Sequence, residues 1–209
     1  MKINERVDGI IKYLDSQYPD AGCTLDYKDP LQLMICTQLA AQCTDARVNI
    51  VAVDLFKRFP DVDAFADCDI HELEEYIRPT GFYHNKAKNI KAACIKIRDE
   101  FDRKVPSTMD ELLTLDGVGR KTANLLLGDC FNTPGIVVDT HAKRLTNRMG
   151  LTKNEDPTKI EFDLRKIIPE DKWTVFCHQL VMHGREICKA RSPECDRCGW
   201  RDYCKYGNK

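Results

Sequence analysis

Along most of the chain, apolar residues recur about every three to four positions, the period of an amphipathic α-helix, and strand-like alternation is scarce. This pattern predicts an all-α fold. Helices this short are marginal in isolation, so we expect their apolar faces to pack together in compact layers. The predicted helices are Val7–Leu14, Leu31–Leu39, Val48–Phe59, Ala87–Phe101, Leu112–Leu115, Ala123–Phe131, Ile160–Ile168 and Trp173–Ile187.

Capping signals support the helix boundaries. Ser107 followed by Asp110 resembles a capping box, and Asp156 before Pro157 combines an N-cap with a first-turn proline. Asp139 follows the β-branched run 136–138, which we expect to be buried, and is a candidate cap for a helix that begins after it.

Composition permits one domain or two small packed ones, because 43% of the 209 residues are hydrophobic. The formal net charge of -1 provides no overall attraction to nucleic acid. The charges are uneven, however: residues 61–80 are strongly acidic, whereas residues 117–148 and the C-terminal tail are basic. Both basic stretches coincide with the motifs below, which favours a surface that faces a polyanion.

Four cysteines stand near the C-terminus at the spacing C-x6-C-x2-C-x5-C, separated mainly by charged and small residues. Such a loop is typical of metal ligation and not of core packing. The spacing alone leaves zinc and an iron–sulfur cluster both open. The candidate ligands are Cys188, Cys195, Cys198 and Cys204, and the other seven cysteines are predicted to be buried free thiols.

A second motif lies between two predicted helices. Gly117 and Gly119 allow a tight turn that opens onto a helix N-terminus, next to Arg120 and Lys121. Free N–H groups and two bases make this turn a candidate phosphate site, with an ordinary helix–turn–helix corner as the alternative. No strand precedes the glycines, which argues against a Rossmann fold or P-loop.

Lys121 is also a candidate nucleophile. Positive potential from the helix N-terminus and Arg120 is expected to lower the pKa of Lys121. A neutral amine can attack carbon and form a Schiff base, which a nearby carboxylate assists. Asp139 is the candidate carboxylate, and a purely structural helix cap is its alternative role.

Together, Leu115–Ala123, the segment Val138-Asp139-Thr140-His141 with Arg144, and the cysteine tail resemble endonuclease III, a family of helix-hairpin-helix DNA glycosylases. Thr37–Asn49 and Gly81–Ala87 extend the resemblance over almost the whole chain. Two departures stand out: Asp116 occupies a position where the family commonly has proline, and Ala142-Lys143 replaces a more apolar pair. Asp116 places a negative charge beside the proposed phosphate site.

The resemblance implies two helical domains that flank a DNA-binding cleft. Residues 23–133 would form a six-helix domain with the hairpin, and residues 1–22 with 134–209 would form the second domain. The cysteine loop, residues 188–204, would hold a [4Fe–4S] cluster. The acidic stretch is expected to face away from DNA.

The resemblance also implies roles for individual residues. Lys121 would attack C1′ of an extruded nucleotide, and Asp139 would stabilise cationic character at the sugar. Gln42 matches the residue that fills the vacated space in the helix, and Phe82 matches an apolar wedge, although either can be structural. The further candidate DNA contacts are Gly117, Val118, Gly119, Arg120, His141, Arg144, Lys189 and Arg191.

The implied function is that of a bifunctional glycosylase and abasic-site lyase. Its expected partner is double-stranded DNA with an oxidised pyrimidine of the thymine glycol type or an abasic site. The alternatives are another lesion or mismatch, a non-catalytic DNA-binding or electron-transfer iron–sulfur protein, and a zinc adaptor. The resemblance also implies a monomer. We expect a prokaryotic cytoplasm, with association to the nucleoid through DNA, because the sequence shows neither a targeting extension nor a membrane-spanning stretch.

Overall fold

The computed structural model describes residues 2–207, and Met1, Asn208 and Lys209, which the predicted domain ranges include, lie outside them. Within the described part the chain is helical and has no strand, so the all-α prediction is confirmed. The helices are α1 (Ile3–Gln17), α2 (Pro30–Leu39), α3 (Asp45–Arg58), α4 (Val62–Asp67), α5 (Ile70–Ile77), α6 (Tyr83–Glu100), α7 (Met109–Leu112), α8 (Arg120–Cys130), α9 (Thr140–Met149), α10 (Pro157–Arg165) and α11 (Trp173–Glu186).

The chain divides into two compact units. One unit is continuous, Cys23–Asn132, and contains α2 to α8. The other combines the two ends of the chain, residues 1–22 and 133–209, and contains α1 and α9 to α11.

Helix α2 lies at the centre of the continuous unit. It is buried from Leu33 to Leu39, in keeping with its nearly unbroken apolar sequence, and it packs against α3, α6 and α8. Helix α6 also packs against α4 and α5. Helix α7 packs against α8, so the hairpin between them is supported on both sides.

Helix α11 organises the other unit, where it packs against α1 and α9. The buried Trp200, from the cysteine-rich segment, joins this core through rings of α1 and α11. Its centroid lies 5.7 Å from that of Tyr13 and 3.9 Å from that of His183. The segment that carries the four cysteines is therefore anchored on an aromatic cluster.

Of the capping predictions for α7 and α10, the second is confirmed and the first is wrong. Asp156 accepts a hydrogen bond from the backbone N–H of Lys159 at 2.9 Å and caps α10 as expected. The cap of α7, however, is Thr108 and not Ser107. The Thr108 hydroxyl accepts from Glu111 N–H and also bonds to the Glu111 side chain. The box is therefore shifted by one residue, because Thr108 and Glu111 have the same spacing as the pair that was predicted.

The acidic stretch forms α4 and α5, which the apolar periodicity did not predict. Both helices are short, and aspartates cap them: Asp61 bonds to Ala64 N–H and Asp69 bonds to His71 N–H. Exposed ion pairs join their acids to bases of neighbouring helices, as with Glu72 and Arg58. Such pairs contribute little stability, so the buried Phe65 and Leu73 hold these helices in place.

The prediction for the seven dispersed cysteines is correct in part. All are free thiols; Cys36, Cys68, Cys94 and Cys177 are buried, whereas Cys23, Cys43 and Cys130 are partly exposed. Within residues 2–207, no helix is long and apolar enough to cross a membrane.

Candidate nucleic-acid interface

The glycine turn lies between α7 and α8, as the sequence predicted. Gly117 has a φ of 74°, a left-handed conformation that favours glycine. Gly119 is the N-cap of α8. Glycine has no side chain, so no N-cap side chain covers the backbone N–H groups of the first turn of α8. Arg120 and Lys121 are the first two residues of α8.

Behind the turn stands Gln38, a buried residue of α2. Its Nε2 donates to the Asp116 carbonyl at 3.2 Å, which ties α2 to the turn. Its Oε1 is buried and has no hydrogen-bond partner among the described residues. A Cβ at position 117 would lie only 2.6 Å from that oxygen. The turn therefore requires glycine at 117 for both its conformation and its space.

The continuous unit has a cavity of about 370 Å³ beside this turn. Lys121 lies on its wall and has an exposed side chain. The same cavity is bordered by Gln42, Phe82 and Asn89. The structure thus brings the candidate amine, the candidate gap-filling residue and the candidate wedge together at one opening.

Gln42 and Phe82 both adopt left-handed backbone conformations, with φ values of 57° and 50°. Non-glycine residues rarely adopt such values, and those that do often occur at functional sites. Both side chains are exposed; Phe82 retains 64% of its accessible surface. An aromatic ring in that position is available to contact a partner molecule.

In the other unit, Asp139 begins α9. Its carboxylate accepts a hydrogen bond from Ala142 N–H at 2.7 Å, which confirms the predicted helix cap. The run 136–138 before it is buried, also as predicted. Asp139 itself is half-buried.

Arg144, a predicted DNA contact, is bound to the start of the cysteine segment. Its guanidinium donates to the Cys188 carbonyl at 3.0 Å and to the Gly184 carbonyl at 3.1 Å. Its Nη2 also lies 3.2 Å from Nδ1 of His141. Of the predicted phosphate contacts in this segment, Lys189 forms an ion pair with Glu194, and Arg191 is exposed.

The four cysteines of the C-terminal segment line one small cavity of about 20 Å³. Arg148 lies beside it and donates to Cys188 Sγ at 3.2 Å. Burial raises the pKa of Cys198 to about 11, so a thiolate there requires a compensating positive charge, which a metal centre would provide. Four cysteine thiolates are a donor set that suits both zinc and iron–sulfur clusters.

Two residues of this region were not recognised from the sequence as functional candidates, namely Gln38 and Lys86. Lys86 lies on the buried face of α6 together with Ile90, Cys94 and Ile97. A lysine that interrupts an apolar stripe at helical spacing was the available signal. Gln38 offered no such signal, because α2 is buried on nearly every side.

Comparison with known proteins agrees with this geometry. The model of the HhH-GPD superfamily of base excision DNA repair proteins matches residues 35–170. The iron–sulfur binding domain of endonuclease III matches residues 188–204. Endonuclease III of Synechocystis sp. is 51% identical over 201 residues, which cover 96% of this chain and 92% of that protein. The chain belongs to the endonuclease III family.

Other relatives extend the agreement. Endonuclease III of Escherichia coli K12 is 34% identical over 96% of this chain and 95% of that protein. A trapped covalent intermediate of an endonuclease III with DNA, an estranged-adenine complex, superimposes with a TM-score of 0.94 at 37% identity, covering 100% of this chain and 98% of that one. A thermostable thymine-DNA glycosylase, with a TM-score of 0.89, 19% identity and 98% coverage of both chains, shows the fold alone.

Membership of the endonuclease III family makes the chain a base excision repair enzyme of the DNA glycosylase and abasic-site lyase class. The match to residues 188–204 identifies the cysteine segment as an iron–sulfur binding domain. The predictions of family, fold class, enzyme class and iron–sulfur binding are therefore confirmed.

Proposed function

We propose that the chain removes oxidised pyrimidines of the thymine glycol type from double-stranded DNA and then cuts the strand at the resulting site. The observation that carries the proposal is the exposed Lys121 amine on the cavity that Gln42 and Phe82 border. The relatives that superimpose on the chain include endonuclease III in complex with DNA, both covalent and non-covalent. That likeness supports double-stranded DNA as the partner.

The proposed chemistry begins with the Lys121 amine. Extrusion of the damaged nucleotide exposes C1′. The free energy of extrusion is lowest for a damaged base, because the stacking and pairing of that base are already weakened. The amine nitrogen forms a bond to C1′ as the bond between C1′ and the base breaks, and the base leaves with a proton. Opening of the sugar ring yields a Schiff base between Lys121 and the sugar.

Strand cleavage follows from the same intermediate. The iminium withdraws electrons, which acidifies the proton on C2′. Loss of that proton forms the C2′–C3′ double bond and breaks the bond from C3′ to the phosphate oxygen, so the strand is cut 3′ to the lesion. Hydrolysis then releases Lys121. The carboxylate role of Asp139 at the cationic sugar stays a prediction from the family resemblance.

Phosphate binding is proposed for the hairpin residues Gly117, Val118, Gly119 and Arg120, which lead into the N-terminus of α8. The Val118 N–H already donates to the Leu115 carbonyl at 3.1 Å, so Val118 is proposed as a contact and not as a backbone donor. His141, Arg144, Lys189 and Arg191 remain predicted contacts of the other unit. We also propose that Cys188, Cys195, Cys198 and Cys204 hold a [4Fe–4S] cluster. When bound, the cluster supplies covalent cross-links between four points of the segment.

Two proposals come from the family resemblance and are open to direct measurement. The protein is proposed to be a monomer, which sedimentation equilibrium would measure. It is also proposed to act in a prokaryotic cytoplasm at the nucleoid, where imaging of a labelled chain would locate it.

The deciding experiment is borohydride trapping. Duplex DNA that contains one thymine glycol is mixed with cluster-loaded protein, and borohydride reduces any Schiff base to a stable covalent adduct. We expect an adduct from the wild type and none from Lys121→Gln. Lys88→Gln is the matched control, because it removes an exposed lysine of α6.

Parallel duplexes separate the possible failures. An undamaged duplex should give no adduct, and a duplex with an abasic site should give one. Adducts with the abasic site but not with thymine glycol would mean that the substrate class is wrong. An adduct that survives in Lys121→Gln would mean that another amine is the nucleophile.

A further inference from the structure

One lysine of the continuous unit lies on the buried, otherwise apolar face of α6. Only 6% of the surface of Lys86 is accessible. Its ammonium donates to the Leu39 carbonyl at 2.7 Å and to the Thr80 carbonyl at 2.9 Å. Burial lowers the pKa of Lys86, so the charged form depends on these two acceptors for the solvation it has lost.

The two acceptors share a position in the fold. Leu39 is the last residue of α2, and Thr80 is the last residue of the short 3-10 turn Arg78–Thr80. Carbonyls at helix ends have no partner within their own helix, and a cation there is favourable. The Lys86 ammonium therefore ties together two chain segments at the points where regular structure ends.

Each of these segments leads, within three residues, to a left-handed residue with an exposed side chain. Gln42 follows Leu39 by three positions, and Phe82 follows Thr80 by two. Such conformations are unfavourable for residues with a side chain and persist only where the surroundings impose them. The Lys86 side chain bonds to the start of both loops.

We propose that Lys86 is a positioning residue for nucleotide extrusion, holding the Gln42 loop and the Phe82 loop at a fixed separation. The inference rests on the proposed function, in which Gln42 fills the gap and Phe82 wedges the duplex. Two side chains that enter the same base step must be held at a defined distance from each other. The Lys86 ammonium, bonded to both loops, fixes that distance and does not itself need to contact the DNA.

This role predicts a selective defect. Extrusion is required when the target nucleotide is stacked in a duplex, and it is not required for an abasic site in single-stranded DNA. Loss of Lys86 should therefore slow reaction with duplex thymine glycol and spare reaction with the single-stranded abasic site. A general loss of folding would lower both rates together.

The experiment compares Lys86→Met with wild type under single-turnover conditions on both substrates. We expect the duplex rate to fall about tenfold or more and the single-strand rate to change by less than about twofold. Lys91→Met is the matched control, because Lys91 of the same helix also donates to a carbonyl, that of Cys68, remote in sequence from both loops. It should leave the ratio of the two rates unchanged.

A double-mutant comparison tests whether Lys86 acts through the two loops. In a Gln42→Ala, Phe82→Ala background, Lys86→Met should cause no further fall in the duplex rate. A second measurement reports extrusion without base removal. In a Lys121→Gln background, a fluorescent base next to the lesion becomes brighter when extrusion of the damaged nucleotide unstacks it. Lys86→Met should reduce that signal and leave the dissociation constant for the duplex within about twofold.

Three results would each overturn the proposal: an equal fall in rate on both substrates, no fall on either, or a further fall in the duplex rate in the Gln42→Ala, Phe82→Ala background. If Lys86→Met does not fold, Lys86→Gln retains a shorter neutral donor and should show the same selective loss. Wild type that reacts with neither substrate would instead mean that the proposed function itself is wrong.

Discussion

The hairpin places unequal demands on its two glycines. Gly117 is left-handed and would bring a Cβ to 2.6 Å from Gln38 Oε1, whereas Gly119 has a φ of -98° and open space around it. We expect Gly117→Ala to destabilise the protein by more than about 1 kcal/mol through its backbone conformation alone. Gly119→Ala should destabilise the protein by less than Gly117→Ala does, because it loses only the preference for glycine over alanine at an N-cap. Urea denaturation of both variants measures the difference.

The two causes at Gly117 can be separated. Gln38→Ala removes the contact with Oε1 but also the bond to the Asp116 carbonyl, so that single variant is the reference. Gly117→Ala should cost less in the Gln38→Ala background than in the wild type, but its cost should not vanish, because the left-handed backbone remains. A Gly117→Ala change that costs nothing in the Gln38→Ala background would show that the backbone conformation contributes nothing, and equal destabilisation by Gly119→Ala would refute the assignment.

At the scale of the element, Asp139 combines a helix cap with a proposed catalytic carboxylate. Asparagine caps a helix as well as aspartate does, whereas alanine costs about 1 kcal/mol. We expect Asp139→Asn to keep the unfolding midpoint close to that of the wild type but to lower the rate of base removal about a hundredfold. Asp139→Ala should lose both stability and rate. Urea denaturation and single-turnover assays report the two effects.

Asp156 provides the control, since it caps α10 through the same kind of bond. Asp156→Asn should alter neither quantity, and Asp156→Ala should lose stability alone. If Asp139→Asn retained the full rate of base removal, the carboxylate would be a cap and nothing more.

The loop between α9 and α10 depends on one carboxylate of α10. Asp163 accepts hydrogen bonds from Thr152 Oγ1 and Asn154 Nδ2, each at 2.6 Å, and these bonds lower the pKa of Asp163. A carboxyl with a lowered folded pKa stabilises the protein above its unfolded pKa, about 3.9, and loses that contribution as pH falls through the folded value. Wild type should therefore exceed Asp163→Asn in stability at neutral pH, and the difference should shrink below about pH 4.

Urea midpoints at several pH values measure this difference. Asp20→Asn, a change at an exposed position, should show no such convergence. A gap between wild type and Asp163→Asn that stays constant down to low pH would contradict the expected contribution of the two hydrogen bonds.

At the scale of the whole molecule, the proposed cluster would stabilise one unit directly. The four cysteines belong to the unit formed by the chain ends, where Trp200 and Arg148 connect their segment to α9 and α11. Cys198→Ala should lose visible absorbance and bound iron. Backbone hydrogen exchange should then accelerate in α11, while α2 and α8 keep their protection. Metal ligation stabilises the cysteine segment and the helices packed against it, and α2 and α8 belong to the other unit.

Cys130→Ser is the matched control, because Cys130 is a partly exposed thiol in the continuous unit. It should retain the absorbance and the iron content of the wild type. Zinc in place of iron in the purified wild type would contradict the proposed cluster.

Much of the helical layout follows from local pattern. The apolar periodicity predicted α1, α2, α3, α6, α8, α10 and α11, and Asp139 and Asp156 signalled the starts of α9 and α10. Helices α4 and α5 were missed because their sequences are dominated by acids, and a few buried anchors such as Phe65 hold them. Thr108 was missed as a cap because two adjacent hydroxyl residues compete for that role, and geometry selects between them.

The sequence by itself determined the family, the cysteine spacing and the candidate nucleophile, since these depend on residue types at fixed separations along the chain. Only the tertiary structure decided that the Gln42 and Phe82 loops share a cavity with Lys121 and that Lys86 joins them. The carbonyls that Lys86 binds belong to residues 47 and 6 positions away. Backbone acceptors carry no signature in the sequence, so a contact of this kind becomes visible only when packing brings the segments together.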